Sequence, residues 1–81
     1  MQKIRPDMNI GNNIQNARYK SNLTQDEVVA KLQLMELNIS RSTYAKIETN
    51  RINIRVSELV ALKTIFKTEF NDFFEGLDIE P

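Results

Sequence analysis

Apolar residues recur every three or four positions through most of the chain, the spacing of helices that each bury one stripe. Ile10, Ile14 and Ala17 make the inner stripe of a first helix, which Asn22 is placed to end because it tolerates a left-handed backbone. The second helix has the clearest start. Thr24 and Glu27 have the spacing of a capping box, Leu23 can pack on Val28 as a hydrophobic staple, and Val28, Val29 and Leu32 face inward until the pattern fades between Leu34 and Glu36. A third helix is predicted from Ser40 to Glu48: the Ser40 hydroxyl can accept an orphan backbone N–H, Ile39 and Tyr44 form a second staple, and Tyr44 and Ile47 point inward. Asn50 ends that helix, and the polar run Arg51 to Arg55 reads as a loop. Val56, Leu59, Leu62 and Phe66 give a fourth helix as the floor of the core, with Val60 widening its apolar face. Phe70, Phe73, Phe74 and Leu77 share one helical face, with Gly76 stopping the helix before Leu77.

The chain has 81 residues, enough for one compact domain, read here as a single unit with an N-terminal arm over 1–8 and a C-terminal tail over 76–81. Only two Gly and two Pro are present, both Pro near the ends, so helices run unbroken across the middle. The absence of Cys and His removes disulfides, a zinc knuckle, a thiol nucleophile and an imidazole base. No enzyme activity, metal or cofactor is therefore expected. No apolar stretch follows Lys3 and Arg5, so neither a signal peptide nor a membrane span is read, and a cytoplasmic location is expected.

Charge changes the picture more than composition does. The chain is neutral overall, yet Lys and Arg against Asp and Glu give nine minus five, or +4, over residues 1–55 and two minus six, or −4, over residues 56–81. An acidic tail folded away from the basic part would leave a positive face for phosphates. The third helix supplies a candidate for that face. Arg41, Ser42, Ala45, Lys46 and Thr49 follow helical spacing on its outer side, with no acidic and no large apolar residue among them. A solvated face normally mixes both signs, whereas Arg and Lys can donate to guanine edges and small residues allow close approach to base pairs.

Residues Ile10 to about Phe74 resemble the helix-turn-helix family of phage repressors and Cro proteins, the XRE-like DNA-binding domains. The resemblance is carried by Thr24-Gln25, by Val28 and Leu32, by the run Ile39-Ser40-Arg41-Ser42-Thr43-Tyr44, and by Ile47-Glu48 followed by Thr49-Asn50-Arg51. It implies an all-α, compact five-helix, lambda-repressor-like domain that places the Ser40 to Glu48 helix in the major groove of double-stranded DNA as a sequence-specific regulator. By the same resemblance Arg41, Ser42 and Lys46 touch base edges, Gln25, Thr43 and Arg51 contact phosphates, and Arg18 pairs with Glu48 in a partly buried ion pair.

The chain departs from the family between the second and third helices. The seven residues Gln33 to Ile39 replace the short Gly-containing turn of the usual three or four, and Val29 stands where a small Ala is preferred. Glu69, Asp72 and Glu75 read as a solubilising acidic stripe, and Phe70, Phe73 and Phe74 as core residues of which one or two are free to form a homodimer interface. The competing expectation is a protein-interaction module of the same fold, meeting a toxin or sensor subunit through the long turn and aromatic tail.

Overall fold

The computed structural model describes residues 3–4 and 7–79; Arg5 and the extreme ends of the N-terminal arm and C-terminal tail lie outside them. Five helices are present among the described residues: α1 (Gly11–Lys20), α2 (Gln25–Leu34), α3 (Arg41–Glu48), α4 (Val56–Phe66) and the short α5 (Phe70–Phe73). Two short strands, β1 (Lys3–Ile4) and β2 (Ile54–Arg55), pair antiparallel with Lys3 opposite Arg55 and Ile4 opposite Ile54. The molecule is thus compact and mostly helical, and the run Arg51 to Arg55 is not all loop. Its Ile52-Asn53-Ile54-Arg55 alternation is a strand period, and Ile54 is fully buried.

The helix starts follow the sequence. Thr24 Oγ1 accepts from the Glu27 N–H at 3.1 Å while Glu27 Oε1 accepts from the Thr24 N–H at 2.9 Å, which completes the capping box of α2. That bond from the Thr24 amide holds the exposed Glu27 carboxyl below its ordinary pKa. Asn9 Oδ1 accepts from the Asn12 N–H at 3.3 Å and so serves the first turn of α1.

The helix ends share one device that the sequence shows only in part. Asn22, Glu36, Asn50 and Lys67 all adopt positive φ, and each stands where a pair of backbone bonds folds the chain back over the last turn. After α2, for instance, the Leu37 N–H reaches Leu32 O and the Glu36 N–H reaches Gln33 O, both at 3.0 Å. Two of the four residues are Asn, as their conformation favours; Glu36 and Lys67 carry no such signal. Because α2 continues through Gln33 and Leu34 and α3 begins at Arg41, the connection is the six residues 35–40, two or three longer than the usual turn.

The core gathers stripes from every helix and from β2. Ile14, Val28, Leu32, Tyr44, Ile54, Leu62 and Phe73 are fully buried. Val29 is buried as well. Two readings of the last third need correction. Val60 is 46% exposed and does not widen the buried face of α4, because the remaining core is already covered by Leu59, Ala61 and Leu62. Of the three C-terminal aromatics only Phe73 is core, while Phe70 and Phe74 stay 39% and 43% exposed, so Phe73 has no surface to offer a partner. Among the described residues no helix is long and apolar enough to cross a membrane.

Candidate nucleic-acid interface

The third helix is held by its inward side. Arg18 Nε and Nη2 donate to Glu48 Oε2 and Oε1 at 2.7 and 3.1 Å, a two-point ion pair from α1 to α3, and Arg18 Nη1 donates to Leu23 O at 3.0 Å. Burial alone would push the Glu48 carboxyl up, but the bonds from the Arg18 guanidinium and the Gln25 amide outweigh it and hold Glu48 below its ordinary range; its bond to Glu48 raises the pKa of Arg18 in turn. Tyr44 lies beside this pair with its hydroxyl buried and without a hydrogen-bond partner among the described residues, and burial drives its pKa well upward. The expected ion pair therefore forms, with Glu48 only 3% exposed.

Two further contacts set the position of α3 against α1. A Cβ added to Gly11 would lie 2.4 Å from Glu48 O, so the helices approach where only glycine fits. Asn50, just past α3, accepts from the Ile10 N–H at 3.2 Å through Oδ1 and donates to Met8 O at 3.3 Å through Nδ2. The sequence hides both, since spacing along one helix says nothing of a close approach between two.

With Tyr44, Ile47 and Glu48 turned inward, Arg41, Ser42, Lys46 and Thr49 are exposed on the outer side and Ala45 is half-buried between them. The Ser40 hydroxyl accepts from the Thr43 N–H at 3.1 Å, donates to Thr43 Oγ1 at 2.9 Å and lies 3.2 Å from Ser42 Oγ, so three hydroxyls cluster at the start of the helix. The Thr49 hydroxyl is turned back on its own helix, donating to Ala45 O at 3.2 Å.

Arg41 does not stand free. Its Nε donates to Gln25 Oε1 at 3.0 Å and lies 3.8 Å from Asp26 Oδ1, although its side chain remains 60% exposed. Gln25 in turn donates to Glu48 Oε1 at 3.0 Å. A continuous polar chain thus runs from Arg18 in the interior through Glu48 and Gln25 to Arg41 on the surface. Asp26 is the acidic neighbour that spacing along α3 alone could not reveal, because it comes from α2.

The residues expected at phosphates divide into two places. Thr43 and Arg51 line one open groove of about 1070 Å³ beside α3, together with Asn38, Asn53 and Arg55. Gln25 is not among its lining residues and is engaged with Arg41 and Glu48 instead. Comparison with models of known protein families, with curated proteins and with solved structures finds no match for this chain.

Proposed function

We propose that this chain is a sequence-specific DNA-binding transcriptional regulator of the phage repressor and Cro type, with the lambda-repressor-like arrangement of five helices and α3 inserted in the major groove. The observation that carries the reading is the outer face of α3: it is polar and basic, its single acidic residue is turned inward into an ion pair, and it has small residues where a groove floor would lie close. Arg41, Ser42 and Lys46 are the base readers. With Nε of Arg41 engaged by Gln25, the two Nη groups are left to donate together to the O6 and N7 of a guanine. Gln25 serves both as the brace of Arg41 and, through its remaining amide proton, as a phosphate contact. Thr43 and Arg51 fix register on the backbone without reading sequence.

A symmetric dimer on two half-sites about one helical turn apart suits this type of domain, with Phe70 and Phe74 as its apolar contact. Exposed Leu34, Met35, Phe70 and Phe74 favour the second reading, a protein-interaction module of the same fold. Selection of duplexes from a random pool at low salt separates the two. The DNA reading expects one sequence to be enriched, and expects Arg51→Ala to weaken binding to all duplexes alike while lowering the salt slope by about one unit. Failure to enrich any sequence would leave the interaction module.

A further inference from the structure

The six-residue connection between α2 and α3 is anchored along its length rather than slack. Leu37 packs on the core, Ile39 is buried, and the Ile39 N–H closes on Leu37 O at 3.0 Å, a three-residue turn with Asn38 at its apex. Asn38 is thereby fixed from both sides while its own side chain is exposed, and it lines the groove beside α3. The segment after α3 contributes Arg51, Asn53 and Arg55 to the same groove. Among the described residues the one acidic lining residue, Glu58, is buried and accepts from the Arg55 N–H at 2.8 Å, so the accessible polar lining is amide, hydroxyl and guanidinium, beside the half-buried Ile52. A groove of about 1070 Å³ is far larger than one small anion requires, and its polar walls do not suit an apolar peptide. Arginines interleaved with neutral hydrogen-bonding side chains suit a chain of phosphates. Thr43 belongs both to α3 and to this lining, so a strand lying here would be part of the duplex that α3 reads.

We infer that this groove takes one sugar–phosphate strand of that duplex, held by Arg51 and Arg55 from the segment after α3 and by Asn38 from the lengthened connection. The inference rests on the DNA reading above and adds to it a contact element that a three-residue turn would lack. It governs affinity and register, not base choice.

The test uses the full chain and the duplex that the wild-type protein selects. Asn38→Asp puts a like charge against the strand and is expected to weaken binding roughly tenfold at low salt, with the gap narrowing as salt screens it and with base preference unchanged. Asn38→Ala is expected to weaken binding about threefold or more by loss of a hydrogen bond, and Arg55→Gln to lower the salt slope by about one unit. Because Asn38 is exposed, the melting temperatures of its variants should match wild type, which separates lost contact from lost fold. Wild-type affinity and salt slope in both Asn38 variants, with the wild-type chain binding its duplex, would overturn this inference and leave the DNA reading standing. A wild-type chain that binds no duplex would overturn both.

Discussion

The surfaces formed by α3 and by α5 both pack on α1, and they dispose of their acidic residues in opposite ways. On α3 the single carboxylate, Glu48, is buried in a two-point pair with Arg18, and the outer face is left to Arg41, Ser42 and Lys46. Around α5 the acids are outside: Glu69, Asp72 and Glu75 are all exposed, and Asp72 accepts from the Thr68 hydroxyl and from the Glu69 N–H to start the helix. The small groove between α1 and α5 is lined by Asp72 and Glu75 with Lys20, whereas the larger one beside α3 is lined by Arg51 and Arg55. The charge asymmetry along the chain thus becomes a difference between two surfaces. What separates a basic face from a mixed one here is less the number of cations than the burial of one carboxylate. The anchoring differs too: α3 adds a buried ion pair to its buried Tyr44 and Ile47, whereas α5 is held by the fully buried Phe73 and by Asn13 Nδ2, which donates to Phe73 O and Glu75 O, each at 2.9 Å.

Removing each anchor is the strongest way to break the comparison. Glu48→Gln leaves the Arg18 charge buried and unpaired and is expected to cost about 3–5 kcal/mol in urea unfolding. Phe73→Ala empties a core site and should cost a similar amount, roughly 3–5 kcal/mol. An unfolding midpoint near wild type for Glu48→Gln would show that the ion pair does not anchor α3. Gly11→Ala comes next, because its Cβ meets the backbone of Glu48 rather than a flexible side-chain tip. It should cost about 1–3 kcal/mol and displace α3 from α1, visible as shifted amide resonances over residues 46–50.

Changes in pH sharpen the same contrast. Glu48 and Asp72 both titrate below their ordinary values: for Glu48 burial pushes upward, but its partners' hydrogen bonds prevail, and for Asp72 the Thr68 hydroxyl and the Glu69 amide lower it. A carboxyl depressed in the folded state contributes stability that is complete above its unfolded pKa, near 4 for these side chains, and is lost as pH falls through the lower folded value. Stability should therefore be flat from neutral pH to about 5 and fall below about 4, and Glu48→Gln should flatten the fall more than Asp72→Asn. A fall that begins near pH 6 would contradict these assignments. The smallest expected effect is a gain. Glu36→Gly and Lys67→Gly relieve left-handed backbone in side-chain-bearing residues and should each add about 0.5–1 kcal/mol in thermal or urea unfolding. A loss at either position would mean that the side chain there makes a contact worth more than the strain.

Much of this architecture was legible in the residues, and the misses have physical causes. The starts of α2 and α3 and the inward set Val28, Leu32, Tyr44 and Ile47 follow from local spacing, so they could be read from the chain. Nothing in the spacing pairs Arg18 with Glu48, because the two lie on different helices. The β2 strand is hard to read because Ile52 and Ile54 are too few to outweigh the polar residues around them, although their alternation carries the signal. The end of α2 at Leu34 falls where its apolar pattern fades, but Glu36 gives no hint of the left-handed backbone it adopts. At the site, helical spacing implies the exposure of Arg41, Ser42 and Lys46 but not the engagement of Gln25 and Asp26 with Arg41. Those contacts pair two helices, and the periodicity of either one is silent about which side chains meet across the gap.

Sequence-specific binding requires that the outer side of α3 read bases. The most direct measurement is the binding of wild type and Arg41→Ala to the selected duplex and to each of its single-base variants at one salt concentration. Arg41→Ala is expected to lose about 1–3 kcal/mol of discrimination at one or two positions and to keep the wild-type profile elsewhere. An Arg41→Ala profile identical to wild type at every position would contradict it.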